Sequence, residues 1–66
     1  MEHVTLKMME QDIIVSISKI KQSSKIMARI NADFKAGLML HKVSESFSRK
    51  EYERSSEHLT ALIEYL

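Results

Sequence analysis

The stretch Phe47-Ser48-Arg49-Lys50-Glu51-Tyr52 carries the sharpest local signal in the chain. Ser48 and Glu51 have the spacing of a capping box, in which the serine oxygen accepts from the Glu51 amide and the glutamate reaches back to the Ser48 amide. Phe47 precedes the cap and Tyr52 takes the fourth helical position, the two places of a hydrophobic staple. The first turn of a helix has N–H groups without intrahelical acceptors, so this combination predicts a helix start at Ser48. Beyond it, Tyr52, Leu59, Leu62, Ile63 and Leu66 lie on one stripe at helical spacing, with the small residues Ser55, Ser56 and Ala61 between them. Glu51, Glu53, Arg54, Glu57 and Glu64 fall mostly outside that stripe. Arg49 and Glu53 stand four apart and pair on such a helix.

Working upstream, Leu6, Ile13, Ile20, Met27 and Phe34 recur every seven residues, with Met9, Ile17, Ile30 and Leu38 on or beside the same line. This is a helical seam that resembles a coiled-coil edge. Ser23 and Ser24 interrupt it, and serine is a better N-cap than helix interior, so a break is placed at Gln22–Ser24. One long helix with a weak point there is the alternative. Ile26, Met27, Ile30, Phe34, Leu38, Leu40, Val43 and Phe47 then continue at helical spacing, with Gly37 inside the run as a kink, a helix end or a close helix–helix contact. The resulting expectation is a single all-α domain over residues 1–66, with helices at about 4–22, 25–45 and 48–66. Its short connections make it a small antiparallel helical hairpin or three-helix bundle. The alternation in His3-Val4-Thr5-Leu6-Lys7-Met8 is also compatible with a short strand.

Composition supports helices and bounds function. The chain has 66 residues, no cysteine, no proline and one glycine, whereas sheets and hairpins use glycine and proline at their turns. A chain this short buries only roughly 60% of its unfolded surface. Disulfides and thiolate metal sites are excluded, and His3, His41 and His58 are too scattered for a structural zinc site. Association with another chain is then the expected source of extra stability. The net charge is +1, which makes nucleic acid an improbable partner, because duplex-binding modules concentrate a basic excess on one face. The longest uncharged run, Ile13 to Ser18, is too short for membrane insertion, and Met1-Glu2-His3 lacks the basic start of a secretory signal. The expectation is a cytoplasmic protein.

Apolar residues exceed what one seam uses. Val4, Met8, Ile14, Val15, Ile26, Met39 and Leu40 lie wholly or partly off it. They make either a thick core or an interface, since an exposed patch that broad is otherwise an aggregation hazard. Lys21, Lys25 and Arg29, four apart, form a basic ridge if the helix is continuous there. The ridge is either a solvated face or a docking edge for acidic groups, with Asp33 partly neutralising it. His41 and Glu45 stand four apart, and His58 follows Glu57 and lies four after Arg54. No nucleophile, base and orienter share a suggestive spacing, and no phosphate loop, metalloprotease motif or calcium loop is present. No catalytic site, metal or cofactor is expected. The candidate protein-contacting residues are Leu6, Met9, Ile13, Ile17, Ile20, Met27, Ile30 and Phe34 from the seam, with Tyr52, Leu59, Leu62, Ile63 and Leu66 from the last helix.

In the last helix, Tyr52 is followed nine and ten residues later by Ala61-Leu62. In this the chain resembles the small E-type co-chaperones of type III secretion needle subunits, over Phe47 to Leu66. The stretch Asp33 to Ser46 has no counterpart in the family pattern. The resemblance implies a cytosolic helical hairpin that binds a second, repeat-type helical chaperone and, with it, keeps a polymerising needle subunit soluble. Two other readings stay open at this point. One is a small dimeric DNA-binding regulator or antitoxin, with residues 4–8 as a pairing strand and the basic ridge on phosphate. The other is a self-associating structural helix bundle with a second copy of the chain as its partner.

Overall fold

The computed structural model describes the backbone from residue 2 and side chains from residue 9, through residue 66. Four helices follow one another: α1 (Glu2–Gln22), α2 (Ser24–Ala32), α3 (Phe34–Ser48) and α4 (Tyr52–Tyr65). No strand occurs among the described residues, and His3–Met8 lies within α1. The fold is all-α, as the periodicity requires. Helix contacts run α1–α4, α4–α3, α3–α2 and α2–α1, closing a ring about one core. Ile20, Ile30, Ala36, Val43, Leu59 and Leu62 form that core, and Ile17, Ile26, Met27, Met39, Leu40 and Leu66 pack against it. The body measures 40 × 19 × 19 Å.

The break between α1 and α2 falls where the serines place it. Ser23 is extended (φ −90°, ψ 105°) and its Oγ accepts from the Ile26 amide at 3.3 Å. The middle helix, expected over about 25–45, is corrected to two pieces that part at Asp33. That residue is also extended (φ −125°, ψ 111°), and its Oδ1 accepts from the Lys35 amide at 3.0 Å and the Ala36 amide at 3.4 Å. A short carboxylate offers the backbone acceptors that compete with a continuing helical ladder. Gly37 is neither break nor end. It lies in the first turns of α3, where its amide donates to the Asp33 carbonyl at 3.0 Å.

The capping box at Ser48 is also corrected. Ser48 is the last residue of α3, and its Oγ donates to the Glu45 carbonyl at 3.0 Å. Helix α4 begins at Tyr52 after Glu51, with no side-chain cap. The same six residues terminate a helix instead of starting one. The Glu51 amide donates to the Ser46 carbonyl (2.9 Å) and the Lys50 amide to the Phe47 carbonyl (3.0 Å). This is the double bond of a Schellman ending, which requires a left-handed residue between the helix and the chain that leaves it. Lys50 supplies it at φ 62°. Phe47 and Tyr52 do meet, with ring centroids 5.5 Å apart, but they close the α3–α4 turn and do not staple the start of one helix. Arg49, at the end of α3, pairs with Glu45 at 2.8 Å, not with Glu53.

Helices α3 and α4 run antiparallel, as the Phe47–Tyr52 contact at one end and an Asp33–Tyr65 hydrogen bond at the other show. Midway, the fully buried Ser55 donates from Oγ to the Val43 carbonyl at 3.0 Å. Ser46, also buried, donates to the Lys42 and Val43 carbonyls at 2.7 and 3.2 Å. Small hydroxyls let the backbones approach while each buried polar atom keeps a partner.

Urea titrations at three positions test these assignments. Because Ser48 caps nothing at a helix start, Ser48→Ala shifts stability by less than about 0.5 kcal/mol, against the ~1 kcal/mol of an N-cap serine. Lys50→Gly, which relieves a left-handed L-residue, stabilises by about 1 kcal/mol. Ser55→Leu overfills the α3–α4 contact and destabilises by at least ~1–3 kcal/mol, well beyond Ser55→Ala, which forfeits one hydrogen bond worth about 1 kcal/mol.

Candidate functional site

Most of the seam expected to meet a partner is the protein's own core. Ile13, Ile20, Ile30, Leu59 and Leu62 are buried, and Met9, Ile17, Met27, Tyr52 and Leu66 are half-buried. Leu6, with Val4 and Met8, lies outside the described side chains. Among the described residues, two of those named are open to solvent: Phe34 at 83% and Ile63 at 55% exposure. The off-seam residues divide in two. Ile26, Met39 and Leu40 pack against the core, whereas Ile14 and Val15 stay exposed on α1. Leu38, which sits beside the seam in sequence, is 45% exposed on α3.

Phe34 is open because of Asp33. In an unbroken helix its sevenfold register would carry it toward the core with Ile20 and Met27. The extended residue at 33 resets the rotation, and Phe34 becomes the first residue of α3, on the side opposite Val43. Leu38 follows one turn later. Between this pair and the end of α2 lies a groove of about 300 Å³, lined by Ile30, Asn31, Asp33, Phe34, Gly37 and Leu38. A Cβ added at Gly37 would meet only the Ile30 carbonyl oxygen, at 3.9 Å, so the glycine leaves open space that its backbone does not demand. A second shallow groove runs between α1 and α4 beside Met9, Ile13, Leu59 and Ile63.

The break is tied down from the far end of the chain. Tyr65 Oη donates to Asp33 Oδ2 at 2.6 Å, and the Lys35 ammonium lies 5.2 Å from the centre of the Tyr65 ring. Arg29 donates to the Leu66 carbonyl oxygen. The Tyr65 hydrogen bond, with the two backbone amides and Lys35 adding to it, holds the Asp33 carboxyl below the usual carboxylate range. The same bond raises the Tyr65 hydroxyl, because losing its proton beside a carboxylate is unfavourable.

A polar cleft between α3 and α4 holds Lys42, Glu45, Ser46, Arg49, Glu51, Arg54 and His58. Its charges are partly matched internally: Arg54 meets Glu51 at 3.3 Å, and Arg49 meets Glu45 at 2.8 Å. Exposed pairs of this kind contribute little to stability. The Lys21/Lys25/Arg29 ridge is not one helix face, since α1 ends at Gln22 and Arg29 is engaged with Leu66. Among the described residues no group of three metal-ligating side chains comes together, and no helix is long and apolar enough to cross a membrane. No family model, curated protein or solved structure matches the chain.

The Asp33–Tyr65 tie makes stability sensitive to pH at both ends. A depressed carboxyl stabilises the fold above its unfolded value, about 3.9, and that contribution is lost as pH falls through the folded value. A raised tyrosine stabilises below about 10 and loses its contribution as pH rises through the folded value. Melting temperatures across pH should fall at both extremes. Tyr65→Phe should flatten the alkaline limb and weaken the acid one, and Asp33→Asn should remove most of the acid limb.

Proposed function

We propose that this chain is a non-enzymatic, cytoplasmic helical module that binds another helical protein. The observation that carries the reading is Phe34, a large aromatic left 83% exposed at a helix start by a break that three hydrogen bonds to Asp33 maintain. Leu38, Ile63, Ile14 and Val15 add exposed apolar surface on the same small body. Phe34 and Leu38 line one groove, and an apolar patch, beyond scattered single residues, marks an interaction surface; a domain of this size also gains stability from a partner. A non-catalytic reading is supported by the buried hydroxyls, because Ser46 and Ser55 donate to backbone carbonyls and not to a histidine or carboxylate. The narrower form is a co-chaperone of type III secretion needle subunits, working with a repeat-type helical chaperone. It is supported by the spacing of Tyr52 and Ala61-Leu62 in a last helix that opens at Tyr52.

Light scattering on the purified chain over a concentration series tests the general reading. The expected result is a mass distribution that broadens with concentration without settling on a defined oligomer, with uptake of an apolar dye. The exposed-site double variant Phe34→Ser, Ile63→Ser should return it to a sharp monomer with unchanged helicity. A parent chain that stays monomeric at every concentration and takes up no dye would overturn the proposal. Co-purification with a secretion needle subunit and its helical chaperone separates the narrower form from the general one.

A further inference from the structure

We propose that the face of α3 carrying Phe34 and Leu38 docks an amphipathic helix whose apolar stripe is flanked by carboxylates. The inference rests on the binding-module reading and names the chemistry of the partner. On a helix, the side chains around position 38 are those three and four residues away: Phe34, Lys35, His41 and Lys42. One exposed leucine is therefore framed by an aromatic and three basic or titratable groups. Among the described residues neither Lys35 nor Lys42 forms an ion pair, and the Lys35 ammonium has only the Tyr65 ring, at 5.2 Å.

The nearby carboxylates are already committed. Asp33 accepts from two amides and the Tyr65 hydroxyl, and Glu45 meets both Arg49 and His41. Asp33 answers Lys35 only in part, and Lys42 has no ion-pair partner among the described residues, so positive charge is left over at the patch and an acidic flank complements it.

Shape and area point the same way. The groove beside Phe34 runs over Gly37, so a partner's apolar side chain can enter where any other residue would place a Cβ. Helix-in-groove recognition uses such anchors at one-turn spacing. Two exposed side chains fall well short of the roughly 800 Å² that each side of a standard interface buries, so charge must assist apolar burial. A second copy is the poorer occupant, because two such faces would bring Lys35 and Lys42 of each chain toward those of the other.

The probe is a labelled amphipathic peptide with leucines at one-turn spacing and glutamates on both flanks, beside a twin with lysines in place of the glutamates. Fluorescence anisotropy against the full chain should show binding of the glutamate peptide alone, weakening as salt rises above about 0.15 M. Phe34→Ser should weaken it by roughly thirtyfold, as loss of a hot-spot aromatic does, and Lys35→Gln with Lys42→Gln should remove its salt dependence. Gly37→Ala should raise the melting temperature, because alanine favours helix, yet weaken binding; a purely structural glycine would leave binding unchanged. Equal binding of both peptides, or of neither, overturns the acidic-helix assignment, as does a defined dimer abolished by Phe34→Ser. Dye uptake and concentration-dependent broadening of the parent would still stand in the two peptide cases, which separates failure of this assignment from failure of the binding-module reading, whereas a defined dimer would count against both.

Discussion

One carboxylate organises this molecule. Asp33 accepts two amides of the first turn of α3 and the hydroxyl of Tyr65 near the end of α4. The first two bonds satisfy donors that every helix start leaves open and thereby divide the middle of the chain into α2 and α3. The third joins that division to the far end of the sequence. The consequence is rotational. Residues before 33 and after it belong to different helices, so Ile30 enters the core while Phe34, four residues on, faces out. A continuous helix would keep those two side chains on one stripe.

The pairing of α3 with α4 depends on the opposite choice, polar atoms brought inside. Val43 places its side chain in the core, and its carbonyl oxygen receives the Ser55 and Ser46 hydroxyls at 3.0 and 3.2 Å. No buried side-chain polar atom among the described residues lacks a partner. A bond of this kind adds only about 1 kcal/mol, yet serine's size matters more, because it sets how close the helices lie. Leu59 and Leu62 then reach the core on the same face of α4 as Ser55.

Periodicity alone made the helices and most of the core legible: Ile13, Ile20, Ile30, Leu59 and Leu62 all stand on stripes visible in the sequence and are all buried. What periodicity cannot say is whether a stripe faces its own chain or another, since burial rewards both equally. The junctions depended on local chemistry with two readings. Ser23 caps a helix, as serine between two apolar runs does. Asp33 does the same, but lies between Ile30 and Phe34 on an unbroken seam, so the pattern concealed the break. Ser48 and Glu51 have a capping-box spacing, yet the chain uses the segment to end α3 through a left-handed Lys50. A lysine at that place hides the motif, because glycine is its usual sign.

The exposed apolar residues follow from the same economy of length. Sixty-six residues divided among four helices leave each helix two neighbours in the ring, and residues facing away from both have nothing within the chain to cover them. On several of those outer faces the sequence places charge: Lys19 and Lys21 on α1, Glu57 and Glu64 on α4. Phe34 and Leu38 stand out because a polar residue at either place would cost the core nothing, being outside it, and would make the surface easier to hydrate. Folding of the isolated chain therefore does not account for them. The proposed contact with a partner helix would.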